Sequence, residues 1–111
     1  MAESNVTIMY PAKAKMTENK FWRIMVGMHV PTKDDLASYI TVDTIKAVVD
    51  DPRGYLESLF RTYNSNENPL SCKEKQKLIR ENDSYTSMSV GSVVKINDEY
   101  WVVKGIGWEK I

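Results

Sequence analysis

The segment "GSVVKINDEYWVVKG", residues 91–105, restricts the possible folds more than any other stretch of the chain. Two β-rich runs flank Asn97-Asp98, a pair suited to a tight turn, so the segment should close as an antiparallel hairpin. Pairing across that turn sets Val94 opposite Trp101 on one face and Val93 opposite Val102 on the other. Both faces are then apolar, whereas a hairpin lying on a protein surface alternates apolar and polar residues. Such a hairpin needs cover on both sides, which we expect from helices on one side and from curling of the sheet on the other. Gly91, Gly105 and Gly107 mark tight bends, and "GWEKI" (107–111) supplies a short last strand or an anchored tail.

The rest of the chain offers partners for this hairpin. Residues 5–10, "NVTIMY", read as a first strand, and Pro11, which has no ladder donor, suits a sheet edge. "AKAKMTENK" reads as a polar connector. In "FWRIMVGMHV" (21–30) Trp22, Ile24, Val26, Met28 and Val30 alternate with Phe21, Arg23, Met25, Gly27 and His29, which predicts a strand stopped by Pro31. Thr32 and Asp35 resemble a capping arrangement for one helical turn in "KDDLAS". "YITVDTIKAVV" (39–49) is β-branched and predicts a strand, although Val42, Ile45, Val48 and Val49 also fit one face of a helix over 42–50.

Helix signals are clearer after residue 50. Asp51 is a candidate N-cap with Pro52 at the first helical position, and Tyr55, Leu56, Leu59, Phe60 and Tyr63 form an apolar stripe. Glu57 and Arg61 form an i,i+4 pair on the other side. "NSNENP" ends this helix, and Ser71 with Glu74 predicts a second one over 72–81, whose narrow seam of Leu78 and Ile79 places it on the surface. The expected fold class is therefore α+β: a small, curled, mostly antiparallel sheet of about five strands. One aromatic-faced helix packs on it, and a second short helix lies on its surface. The 111 residues, 42% of them hydrophobic, fit one compact domain spanning 1–111.

Composition narrows function mainly by exclusion. Fifteen Lys+Arg balance fifteen Asp+Glu, so the whole-molecule field does not steer the chain toward nucleic acid or anionic membrane. Cys72 is the sole cysteine, which rules out an internal disulfide or a thiolate cluster and fits a reducing compartment. No apolar run approaches a membrane span and the N-terminus lacks a signal-peptide pattern, so a cytoplasmic location without membrane contact is expected. His29, the only histidine, has no announced partner and reads as structural. Cys72, at a helix N-terminus near Lys73 and Lys75, lacks a base to activate it. Asp34-Asp35 and Asp50-Asp51 adjoin predicted helix starts, where carboxylates are favoured without any metal. With no phosphate loop and no nucleophile elbow, the chain reads as a non-enzyme with no cofactor and no metal.

The order Leu-x-x-Leu-Phe-x-x-Tyr-Asn (56–64), followed by "SMSVGSVVKINDEYWVVKGIGWEKI", resembles the YodL-like domain and similar small proteins of bacteria and their phages. The resemblance covers about residues 50–111. It implies a small stand-alone protein, phage-encoded and then located in the host cytoplasm, with no catalytic residue carried over. Ser92 stands where that pattern usually has Asp, which leaves open whether a functional carboxylate or a turn cap has been replaced.

Three Trp and six Tyr exceed what a core of this size must hold, so some should face a partner. The candidate binding residues are Trp108, Tyr85, Trp22, Tyr100 and Arg23, with Tyr85 and Trp108 placed where the sheet meets solvent. Two functions follow. One is a protein-binding module that engages or inhibits a host factor, or that self-associates through an edge strand. The other is a nucleic-acid binder using Lys13, Lys15, Lys20 and Arg23, or Lys73, Lys75, Lys77 and Arg80. Glu18, Glu74 and Glu81 interrupt those clusters and favour a solvated charged face instead.

Overall fold

The computed structural model describes residues 3–111. Five antiparallel strands, β1 (Ser4–Pro11), β2 (Tyr39–Ala47), β3 (Val93–Ile96), β4 (Glu99–Val103) and β5 (Trp108–Lys110), form one sheet in the order β2-β1-β3-β4-β5. Three α-helices accompany it: α1 (Glu18–Met25), α2 (Pro52–Thr62) and α3 (Lys73–Glu81). The fold is α+β, as the sequence led us to expect. Among the described residues no helix is long and apolar enough to cross a membrane.

The β3–β4 hairpin has the expected register, with Val94 opposite Trp101 and Val93 opposite Val102. Asn97 takes a left-handed backbone (φ 54°) at the turn, and its side chain accepts a hydrogen bond from the Asn5 amide at 3.0 Å, tying the hairpin tip to β1. One sheet face carries Val6, Ile8, Tyr10, Val94, Ile96, Trp101 and Val103 into the larger core, where Leu56 and Leu59 of α2 and Tyr63 at its C-cap meet them. The opposite face carries Val93 and Val102 into a smaller core with Ile24 of α1 and Tyr39. The second cover is thus a helix, not the curling of the sheet that was expected.

Two further expectations are corrected. Residues 21–30 do not form a strand: α1 occupies 18–25, and a turn follows it. Thr17 caps this helix by accepting a hydrogen bond from the Lys20 amide at 3.2 Å. Gly27, at φ 80°, ends it in a Schellman arrangement, its amide donating to Ile24 O (3.1 Å) and the Met28 amide to Arg23 O (2.8 Å). The alternation read from sequence was incidental, because Phe21 and Ile24, three residues apart, are the buried pair. Nor is β1 an edge strand; it lies between β2 and β3, and Pro11 sits at its end opposite Tyr39, where the missing donor costs little.

Three elements match their expectations. Residues 39–47 form a strand, Asp34–Ser38 a short 3-10 helix, and α2 starts at Pro52 with its stripe inward. Asp51 occupies the N-cap position, yet its side chain makes no capping hydrogen bond. In α3 the N-cap is Cys72, again without a side-chain bond, so the capping box expected from Ser71 and Glu74 does not form. Ile79 is the buried residue of α3, with Leu78 packed partly against the core.

Candidate functional site

The sequence of α1 divides its surface. Phe21 turns inward beside Tyr85, with ring centroids 5.7 Å apart, and Ile24 seats on Gly91. Gly91 has φ 91°, and a Cβ there would lie 2.3 Å from Cγ2 of Ile24, so this close approach of helix to hairpin requires glycine. The opposite side of the helix faces solvent. Trp22 is 53% exposed and Val26, one turn on, is 55% exposed, while Met28 in the following turn is 72% exposed. Arg23 is exposed beside them.

A buried carboxylate holds this surface in place. Asp35, only 8% exposed, binds the Lys20 ammonium of α1 through one oxygen. Through the other it meets His29 Nε2 at 2.8 Å and accepts from the Thr32 amide at 2.9 Å. One side chain therefore joins α1, the turn after it and the 3-10 helix. Burial by itself would raise the Asp35 carboxyl, but the bonds from Lys20, Thr32 and His29 outweigh it and hold the group well below the usual carboxylate range. The Asp35 side chain does bond back to Thr32, as the capping arrangement suggested, but its larger role is to anchor Lys20 and His29.

The other candidate residues lie elsewhere. Trp108 and Tyr85, expected at the rim, are both buried at 7% exposure. Trp108 pairs with Val103 at the β4–β5 ladder, which carries its ring into the larger core. Tyr85 packs against both Tyr10 and Phe21, and its hydroxyl donates to Val90 O at 2.8 Å. Tyr100 is half-buried on the face opposite Trp101 and is not part of the α1 surface. Trp22 and Arg23 are brought together, and the residues missed from sequence are Val26, Met28 and Asp35. Thr17-Glu18 and Gly27 were the available signals, since they mark the two ends of the helix.

Ser92 is fully buried, and its hydroxyl accepts from the Ser89 amide at 3.1 Å, closing the turn before β3. Of the basic clusters, Lys13 lies near Glu18 and Asp83, Lys20 binds Asp35, Lys75 lies 3.8 Å from Asp43 and Lys77 lies 3.8 Å from Glu81. The chain's own carboxylates therefore meet half of those cations. Cys72 is exposed. Among the described residues no group of three or more His, Cys, Asp or Glu is placed to hold a metal ion.

No family model matches the chain, so the resemblance to the YodL-like domain gains no support there. No solved structure matches it either. Over 56 residues the chain is 45% identical to an uncharacterized protein of Acanthamoeba polyphaga mimivirus, an alignment covering 50% of this chain and 52% of that protein. The chain thus spans about half the length of this curated relative. It is similar, over half of its own length, to a protein of viral origin.

Proposed function

We propose that the chain is a non-catalytic protein-binding module whose contact surface is the outer side of α1 and the turn that follows. The observation that carries this reading is the exposure of Trp22, Val26 and Met28 within seven consecutive residues. Large apolar side chains grouped at a surface are uncommon in a monomer unless something covers them, and tryptophan is prominent among interface hot spots. The support beneath them is rigid, because Asp35 fixes both the helix and the turn. Docking there would then cost this chain little backbone ordering.

An accessory role with a host protein as partner is part of this proposal, and the likeness to a protein of viral origin is compatible with it. The test is retention from host-cell extract on the immobilised full chain and on the variant Trp22→Ser/Met28→Ser. A partner retained by the first should be lost by the second while both melt alike. Removal of a central tryptophan should cost about 2 kcal/mol of binding, about thirtyfold in affinity. Equal retention by both would refute this assignment of the surface.

A further inference from the structure

A second surface, distinct from the α1 patch, lies on the sheet. Its register sets Thr44 opposite Thr7, Thr7 opposite Lys95, and Lys95 opposite Tyr100. These four side chains stand in line across β2, β1, β3 and β4, a strip about 14 Å wide at the usual strand spacing. Thr44 is exposed and the other three are partly exposed. Lys46, two residues along β2 from Thr44, projects from the same face and is exposed. Lys33 reaches in from the 3-10 segment, its Nζ 5.7 Å from the centre of the Tyr100 ring, and Lys95 Nζ lies 5.4 Å from that centre.

Among the described residues, carboxylates meet half of the cations in the clusters legible in sequence, and none of the three lysines at this strip. Ion pairs engage Lys13, Lys20, Lys75, Lys77, Lys104 and Lys110, but among the described residues no carboxylate lies within 4.0 Å of Lys33, Lys46 or Lys95. Three ammonium groups without a carboxylate partner therefore border a flat row of two hydroxyls and one aromatic ring.

We propose that this strip binds single-stranded nucleic acid. Phosphates take the Lys33, Lys46 and Lys95 ammonium groups, drawing two of them off Tyr100, and the ring they vacate stacks on a base. The threonine hydroxyls donate to phosphate oxygens. An acidic peptide would satisfy the lysines but its carboxylates offer the ring no aromatic surface to stack on, and the strip has no large aliphatic side chain to enter a bilayer.

The test is fluorescence anisotropy of a labelled oligothymidine with the full chain over a range of sodium chloride concentrations. Three phosphate contacts predict a slope of log affinity against log salt of about −2. Lys33→Gln/Lys46→Gln/Lys95→Gln should bring that slope close to zero and weaken binding at least about tenfold at low salt. Tyr100→Leu should weaken oligothymidine binding about tenfold while leaving inorganic polyphosphate unaffected. Absence of binding, or a triple variant that binds like wild type, would overturn the proposal. So would polyglutamate bound as tightly as oligothymidine and indifferent to Tyr100→Leu, which would make the strip a site for acidic protein.

Discussion

Replacing Asp35 with Asn removes one charge while keeping the shape of the side chain, and the structure sets the size of the effect. The carboxylate receives Lys20, His29 and the Thr32 amide. Hydrogen bonds to a charged group contribute about 1.5–3 kcal/mol each, so a simple sum would exceed 4 kcal/mol. That sum is too large, because the Lys20 and His29 side chains are 39% and 34% exposed and recover water when the charge is lost. Asn also keeps one acceptor for the Thr32 amide. We therefore expect a loss of about 2 kcal/mol at pH 7, equivalent to about 8 °C in melting temperature for a chain of this length. The sign with pH follows from the lowered carboxyl. The native state resists protonation of Asp35, so its contribution is complete above the ordinary carboxylate range near pH 4 and is lost as the pH falls below it. Thermal melts of both proteins from neutral to acid pH should start well apart and converge. Melting curves that coincide at pH 7, or a gap that widens in acid, would refute the anchoring role of Asp35.

Substitutions at three other positions test the scaffold. Trp101→Ala should cost roughly 3–5 kcal/mol in chemical denaturation, since the ring is buried in the larger core; Trp101→Phe should cost far less, because the buried indole N–H has no partner to lose. Gly91→Ala should destabilise by about 3 kcal/mol, combining a left-handed backbone with a clash on Ile24, and a variant that melts like wild type would contradict the docking of α1 there. Asp51→Ala should lower the free energy of unfolding in chemical denaturation by less than about 0.5 kcal/mol, since its side chain caps nothing; a full N-cap loss of about 1 kcal/mol would show otherwise.

What was legible in the sequence was set by local chemistry. The hairpin register followed from a two-residue turn between β-branched runs, and the inward face of α2 followed from the spacing of Leu56, Leu59 and Tyr63. The α1 region was misread because seven of the ten residues 21–30 are apolar, so periods of two and of 3.6 both fit. Only the end signals, Thr17 and Gly27, separate the two readings. The burial of Tyr85 depends on packing partners far along the chain, Tyr10 and Phe21, whereas Trp108 is turned inward by its strand pairing with Val103. The Asp35 anchor was invisible for a similar reason: its lysine is 15 residues away, and only the fold of α1 as a helix brings it near. The lysines of the sheet strip are likewise scattered in sequence: Lys46 and Lys95 share a face only through strand register, and Lys33 reaches Tyr100 from the start of the 3-10 helix.

Acrylamide quenching of tryptophan fluorescence tests the central claim most directly, because the binding surface rests on one indole facing outward while two are enclosed. Trp22 is 53% exposed, whereas Trp101 and Trp108 are each 7% exposed. Wild-type protein should show one readily quenched population and one protected population, and Trp22→Phe should abolish the first while leaving the second and the melting temperature unchanged. If Trp22→Phe leaves the quenched population intact, the exposed tryptophan is in the sheet and α1 does not present the contact surface.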